Sequence, residues 1–327
     1  MEPLALQGVP HFCKTRKLLL RNEVLTFKGL TLWVSDRRVI FHAGGKDWER
    51  LIPGKWRTSS EGVRPLAPGD ILELTGSEVD PQIKERAARR NEFTRRSAGP
   101  KPTPQTIACN LDMVIVTASA AKPEMPFGLV DRLLATALLG GAPCSLLINK
   151  IDLISPSQLA RWSENYQRAF DSIVFTSAVT GEGMESLARL LHNRVTLLVG
   201  ASGVGKSSLL NSIEPGLKLK VGEISNATGK GRHITTSARL YPLARGGWTA
   251  DTPGLRECAP WGLNTNNLIQ AFPELAAIEG GCRFRNCRHQ GEEGCAVSSE
   301  EPSRYISPQR YQSYLKLLAG LTTNARE

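Results

Sequence analysis

Leu30, Leu32 and Val34 alternate with other residues, Ser35-Asp36-Arg37-Arg38 can turn, and Val39 and Phe41 resume the alternation. A period of two marks half-buried strands. Pro68-Gly69-Asp70 is a further turn, followed by the strand-like Ile71-Leu72-Glu73-Leu74. With no long helical period before residue 80, residues 24–76 predict a small β-barrel or sandwich. The Pro-rich run Ser97–Pro104 suits no regular element and predicts a linker.

From residue 111 to 254 the pattern becomes an alternation of apolar runs and helical periods. Strands are predicted at Met113–Thr117, Ser145–Ile148, Ser172–Thr176 and Val195–Val199, and helices at Leu129–Leu139, Glu182–His192 and Ser207–Ile213. Ser155-Pro156 opens one more helix, with serine as N-cap and proline at the first position. Such alternation predicts a mainly parallel sheet covered by helices. Beyond about residue 255 the chain reads as helix and loop.

Composition changes this picture little: hydrophobic residues make up 41% and charged residues 22% of the 327. No apolar run approaches the roughly 18–20 residues that span a bilayer, and the N-terminal stretch lacks the apolar run of a secretory signal. The expectation is a cytoplasmic, reducing location and no membrane partner. Charge adds more. A net charge of +10 and a pI near 9.4 favour a polyanionic partner. Lys84–Arg96 carries six basic residues against two acidic ones, and Arg283, Arg285 and Arg288 cluster among cysteines. Two separate basic clusters point to nucleic acid.

The sharpest chemistry is Gly200, Ala201, Ser202, Gly203, Val204, Gly205, Lys206, Ser207, a complete P-loop between the apolar run Val195–Val199 and the helical run that continues through Ser208. Its glycines let successive N–H groups face phosphate oxygens, and the helix N-terminus adds its dipole. Lys206 is assigned to the β- and γ-phosphates and Ser207 to Mg²⁺. The loop itself accepts ATP or GTP equally. Asp251-Thr252-Pro253-Gly254 follows a short β-like run; Asp251 suits the magnesium shell and the Gly254 N–H the γ-phosphate. Between them, Gly229–Thr236 is a polar, glycine-rich segment in which Thr235, or next to it Thr236, is the candidate second magnesium ligand.

Asn149-Lys150-Ile151-Asp152 supplies base chemistry. The Asp152 carboxylate can accept from both guanine N1–H and the 2-amino group, whereas adenine would leave it buried and unpaired. Lys150 is expected over the base plane, Asn149 as a tie between loops, and Ser177 and Ala178 as the second base-contacting loop. These elements run base, base, phosphate, switch, switch. A guanine-nucleotide domain ordinarily begins with the phosphate loop, so either the base reading is wrong or the domain is circularly permuted. Permutation is feasible because domain termini lie at the surface and often close together.

With Cys109-Asn110-Leu111-Asp112, the early Asn-Lys-Ile-Asp, the P-loop, Gly231-Arg232-His233-Ile234-Thr235-Thr236, Asp-Thr-Pro-Gly and the terminal cysteines, the sequence resembles the circularly permuted, ribosome small-subunit-dependent GTPases (RsgA, also called YjeQ). The resemblance covers nearly the whole chain. It implies an OB-fold RNA-binding domain with linker over 1–104, a permuted G domain over 105–262 and a zinc-binding helical domain over 263–327. It implies a monomer that binds GTP, GDP, the small ribosomal subunit and its rRNA.

Seven cysteines argue against a complete disulfide framework. Cys282, Cys287, His289 and Cys295 offer three thiolates and one imidazole, the donors of a closed tetrahedral Zn²⁺ site; a disulfide with one free cysteine is the other reading. The resembling family binds zinc through this spacing. Leu255 stands where many G proteins carry a water-orienting glutamine, so hydrolysis by the protein alone is expected to be slow. His233 is the in-chain candidate for orienting water, as the resemblance also implies, or else a solvated histidine. The leading expectation is a GTPase of late small-subunit maturation, in which loss of the γ-phosphate repositions the C-terminal domain on RNA. The alternatives are an RNA-binding assembly factor with a structural nucleotide and an ATP-dependent P-loop enzyme.

Overall fold

The computed structural model describes residues 26–56, 65–77, 79–97, 99, 101–219, 238–252, 258–278, 280–299 and 304–324. Five strands build the N-terminal unit: β1 (Phe27–Val34), β2 (Arg38–Ala43), β3 (Lys46–Leu51), β4 (Ile71–Ser77) and β5 (Asp80–Arg86), in the sheet order β3-β2-β1-β4-β5. All its pairings are antiparallel. The sheet curls, and its edge strands meet through a side chain. Arg50 of β3 donates from Nε to the Pro81 carbonyl (3.2 Å) and from Nη2 to Asp80 (3.0 Å) on β5.

The simple alternation along β1 does not survive. Leu30 and Leu32 face the large core shared with the central sheet, whereas Val34 belongs to the N-terminal unit's own core with Val39, Phe41, Leu72 and Leu74. A register shift between Thr31 and Trp33 separates the two halves. A bulge of this kind re-aims every following side chain, so one strand serves two cores.

Two strands follow, β6 (Glu92–Arg96) and β7 (Pro104–Cys109), paired antiparallel. Ser97 and Thr103, within the proline-rich run that the sequence suggests is a linker, pair across this hairpin: Ser97 N–H donates to Thr103 O (2.9 Å), and Thr103 N–H to Ser97 Oγ (2.9 Å). Prolines are tolerated here because a hairpin end needs few N–H donors. The edge of β6 takes up a later segment as well. Arg96 N–H donates to Ala259 O, Trp261 N–H donates to Thr94 O, and Arg95 bridges Pro260.

The central sheet contains β8 (Met113–Ser119), β9 (Cys144–Asn149), β10 (Ile173–Thr176), β11 (Val195–Val199), β12 (Arg239–Pro242) and β13 (Trp248–Asp251) in the order β10-β9-β8-β11-β13-β12. All neighbours are parallel except β12, which runs against β13. Fully buried strands such as β8, β9 and β11 are mostly apolar, with Thr117, Ser145 and Thr196 among the buried exceptions, because helices cover both faces. The helices are α1 (Phe127–Leu139), α2 (Pro156–Tyr166), α3 (Met184–Leu191) and α4 (Lys206–Ile213). Ser155 caps α2 as its sequence suggests: Ser155 Oγ accepts from Gln158 N–H, and Gln158 Oε1 accepts from Ser155 N–H.

From β8 the chain builds outward to β9 and β10, then returns to add β11 on the other side of β8. The carboxyl ends of β8 and β11 therefore flank the point where direction reverses, the usual ligand crevice of an open parallel sheet. The C-terminal part holds α5 (Pro273–Ala276), α6 (Ala296–Ser299) and α7 (Pro308–Asn324). It packs Phe272, Leu275, Val297, Tyr314 and Leu318 against Ala135 of α1.

Candidate nucleotide site and metal knuckle

Three loops leave the carboxyl ends of parallel strands on this edge of the sheet: residues after β11 form the P-loop, those after β9 the Asn-Lys-Ile-Asp run and those after β10 the Ser177-Ala178 turn, with Asp251 at the end of β13 beside them. Side chains tie them together. Asn149, buried, donates from Nδ2 to the P-loop carbonyl of Val204 (2.9 Å), while its Oδ1 accepts from the Ala178 N–H (3.4 Å). Gly205 has a φ of 99°, and a Cβ there would lie 2.3 Å from Asn149 Nδ2. Glycine is thus required for two reasons, the left-handed backbone and the close approach of Asn149.

Lys150 is itself left-handed (φ 65°) and stretches its ammonium to the carbonyls of Gly203 (2.8 Å) and Lys122. Burial lowers its pKa, with Asp152 opposing. Lys122, in the loop after β8, carried no sequence signal, since any residue offers a carbonyl. Ser177 donates from Oγ to Asp152 Oδ1 (2.6 Å) and its Oγ accepts from the Thr180 N–H (3.1 Å). The sequence suggests only backbone contacts for this turn; its hydroxyl also fixes the carboxylate. Ile151 is buried beneath the loop.

On the phosphate side, Lys206 opens α4 and is 6% exposed. Its ammonium donates to the carbonyls of Gly200 and Ala201, each at 3.1 Å. Ala201, Ser202 and Gly203 form the turn above it, and Ser208 continues α4. Ser207 Oγ donates to Asp251 Oδ2 (2.7 Å), bringing the two candidate magnesium ligands together. The other Asp251 oxygen has no hydrogen-bond partner among the described residues. Burial raises the Asp251 pKa, although the Ser207 hydroxyl and Lys206 pull it down; burial lowers that of Lys206, with Asp251 opposing. Both groups are thereby pushed toward neutrality, the signature of polar groups held without full compensation. His233, Thr235, Thr236, Gly254 and Leu255 lie outside the described residues.

The second cluster lies in the C-terminal part. The donor atoms of Cys282, Cys287, His289 and Cys295 all fall within 4.8 Å of one another. His289 Nδ1 lies 3.5 Å from Cys282 Sγ, 3.8 Å from Cys287 Sγ and 3.4 Å from Cys295 Sγ. A tetrahedral ion with metal–sulfur bonds of about 2.3 Å holds its donors about 3.8 Å apart, so the four residues fit such an ion. His289 has a left-handed φ of 54° at the turn. Glu292 accepts from the Arg288 and Gln290 N–H groups (both 2.7 Å) and holds the knuckle between them. Protonated, Cys287 has its thiol pushed up to about 12, chiefly by burial; a bound cation displaces that proton.

Two buried charge clusters were not legible. Asp70, fully buried, accepts from Arg89 Nε (2.8 Å), Arg86 Nη1 (3.4 Å) and the Ala67 N–H (2.7 Å). Burial works against the Arg89 charge, but Asp70 more than offsets it and the pKa rises. Arg90 pairs with Asp112. The basic segment before residue 96 thus spends part of its charge inside the molecule. The other cluster joins Arg310 of α7 to Glu274 and Asp131.

A family model described as RsgA GTPase matches residues 86–261. Over 281 residues, 85% of this chain and 92% of the relative, the chain is 36% identical to a small ribosomal subunit biogenesis GTPase RsgA of Gemmatimonas aurantiaca. It is 34% identical to the protein of that name from Bacteroides fragilis, covering 83% of this chain and 89% of the relative. Among solved structures, YjeQ from Thermotoga maritima superposes with a TM-score of 0.74 at 29% identity, covering 91% of this chain and 99% of that one. YloQ, a circularly permuted GTPase, superposes at 0.66 and 23% identity, covering 94% and 99%.

Proposed function

The chain belongs to the RsgA GTPase family, and from that premise we propose that it hydrolyses GTP to GDP and phosphate on the small ribosomal subunit during its late maturation. The observation that carries this is the bond from Asn149 to the P-loop carbonyl of Val204. It joins a base-reading loop to a phosphate loop in reversed chain order and thereby supports a guanine nucleotide as the ligand.

In this reading Asp152 selects guanine, Ser177 orients Asp152, and Ala178 offers its N–H to the base oxygen. The P-loop from Gly200 to Ser208 cradles the phosphates, with Lys206 at the β- and γ-groups. Ser207, Asp251 and Thr235 would hold Mg²⁺, which neutralises charge on the phosphate oxygens; the Gly254 N–H would meet the γ-phosphate and His233 would orient water. The curled N-terminal sheet supports an OB-fold, and the donor set at 282, 287, 289 and 295 supports one structural Zn²⁺ with no open coordination position. Domain limits at 1–104, 105–262 and 263–327 follow, with the β6–β7 hairpin lying across the first of them. The protein would act as a cytoplasmic monomer with rRNA as its partner; no helix among the described residues is long and apolar enough to cross a membrane.

GTP hydrolysis measured with and without purified small ribosomal subunits, over a salt series, tests the proposal. Slow turnover alone, raised by subunits and weakened by salt, is expected. Equal turnover in both would remove the subunit from the account.

A further inference from the structure

One helix touches both the metal knuckle and the G domain. Arg310, near the start of α7, has no exposed surface. It grips Glu274 with Nε and Nη2 (both 2.8 Å) and Asp131 of α1 with Nη1 (2.8 Å). Its guanidinium lies 4.5 Å from the Phe272 ring centre and 5.6 Å from that of Tyr166. Tyr166, at the end of α2, donates to the same Asp131 oxygen (3.1 Å). A planar five-donor cation is the one side chain that can serve three carboxylate oxygens and two ring faces at once.

The next residues of α7 reach the metal knuckle. Tyr311 Oη donates to the His289 carbonyl (2.7 Å) and Tyr314 Oη to the Arg288 carbonyl (2.8 Å), the backbone of the metal knuckle itself. The segment leading into α7 is held too, since Arg168 donates to the carbonyls of Arg304 (2.7 Å) and Tyr305 (3.2 Å). Arg283, Arg285 and Arg288 ride on this knuckle, with Arg283 stacked on the half-exposed Phe284.

We propose that α7 is a strut that makes the metal knuckle and the G-domain helices α1 and α2 one rigid body, with Arg310 as the positioning residue. Ordering of the knuckle by its cation and docking of α7 on α1 are then a single equilibrium. The γ-phosphate signal does not swing the C-terminal part relative to the nucleotide site; the two move together against the partner. The basic knuckle keeps a fixed distance and direction from the bound nucleotide.

The test has two arms on the full-length protein; the first rests on the proposed Zn²⁺ alone, the second on the proposed action with small ribosomal subunits. In the first, zinc-loaded protein is stripped with phenanthroline and followed by hydrogen exchange. Stripping is expected to accelerate exchange not only in 282–295 but about tenfold in α7 and α1, a local opening reversed by returning Zn²⁺. The double variant Tyr311→Phe/Tyr314→Phe should confine the effect to the knuckle. Wild-type α7 and α1 that stay protected after stripping would overturn the strut. In the second arm, Arg310→Lys keeps the charge but cannot bridge three oxygens. It is expected to retain one zinc and basal GTP turnover within about twofold, while stimulation by small subunits falls about tenfold. Full stimulation of that variant would refute the positioning role. Absent stimulation of the wild type would strike the proposed function and leave the exchange result to judge the strut.

Discussion

Lys206 and Arg310 are both buried cations, yet their surroundings treat them in opposite ways. Lys206 faces two backbone carbonyls, and burial lowers its pKa. Arg310 faces two carboxylates; burial opposes its charge, but Glu274 and Asp131 more than offset this and hold it above the ordinary guanidinium value. Asp251 beside Lys206 has one oxygen without a described partner, whereas both oxygens of Glu274 are taken by Arg310. Each cluster leaves one carboxylate oxygen without a partner among the described residues, Asp251 Oδ1 in the first and Asp131 Oδ2 in the second. What separates them is the cation: folding compensates Arg310 with carboxylates and leaves the Lys206 charge to be met by a ligand.

The comparison breaks first if the two arginine-linked carboxylates tolerate losing their partner. Arg310→Met should destabilise the protein by about 3–5 kcal/mol, because it strands two buried carboxylates; urea unfolding measures this, and a change below about 1 kcal/mol would contradict the account. Lys206→Ala should do the reverse, folding normally while GTP turnover falls on the order of 10²- to 10³-fold, as for loss of one charge-stabilising donor. Single-turnover kinetics on variant and parent give that ratio.

Asp152→Asn sharpens the base side of the same site. An amide offers one acceptor where the carboxylate offers two, so the preference for GDP over other nucleoside diphosphates should fall about 10- to 100-fold in competition binding. The smallest effect is in stability. Because burial raises the Asp251 pKa in the folded protein, the folded state binds the proton more tightly than the unfolded one. Its ionisation therefore costs stability as pH rises from the unfolded value through the folded one, and the cost persists at neutral pH. Asp251→Asn should remove it, raising stability at pH 7 by about 0.5–2 kcal/mol while abolishing turnover. Thermal melts at pH 7 and at pH 4, where the gain should shrink, would expose an error of sign.

The two clusters also differ in how far they could be read in advance. The P-loop, Asn149–Asp152 and Cys282–Cys295 are compact in sequence, and their residue types are dictated by the chemistry of a phosphate, a base or a cation. Strands β8, β9 and β11 were equally plain as apolar runs. Arg310 and Asp131 lie 179 positions apart, and each reads as an ordinary charge on a helix. Nothing local says that the exposed face of one helix is the buried face of another. The bulge in β1 was hidden for a similar reason: alternation predicts a face, but which of two cores that face meets is decided by the packing of both units. Charge counting over Lys84–Arg96 is silent on a further point for the same reason: a tally carries no information about Asp70 or Asp112, which pair with Arg89 and Arg90.

The strand order has a consequence in time. The ribosome makes β8, β9 and β10, with the base-reading loops, before any of β11, the P-loop or β13. At roughly 5–20 residues per second, the stretch of about a hundred residues from Asp152 to Asp251 takes on the order of 5–20 s to synthesise. For the first half of that interval β8, whose residues are all buried in the finished protein, has β9 on one side and an unpaired edge on the other. That edge waits for Val195–Val199, and an unpaired apolar edge is open to the wrong partner. Nucleotide cannot help to organise the early half, because the lysine and glycines that grip its phosphates do not yet exist. The growing chain must hold its guanine reader ready before it can hold a guanine nucleotide.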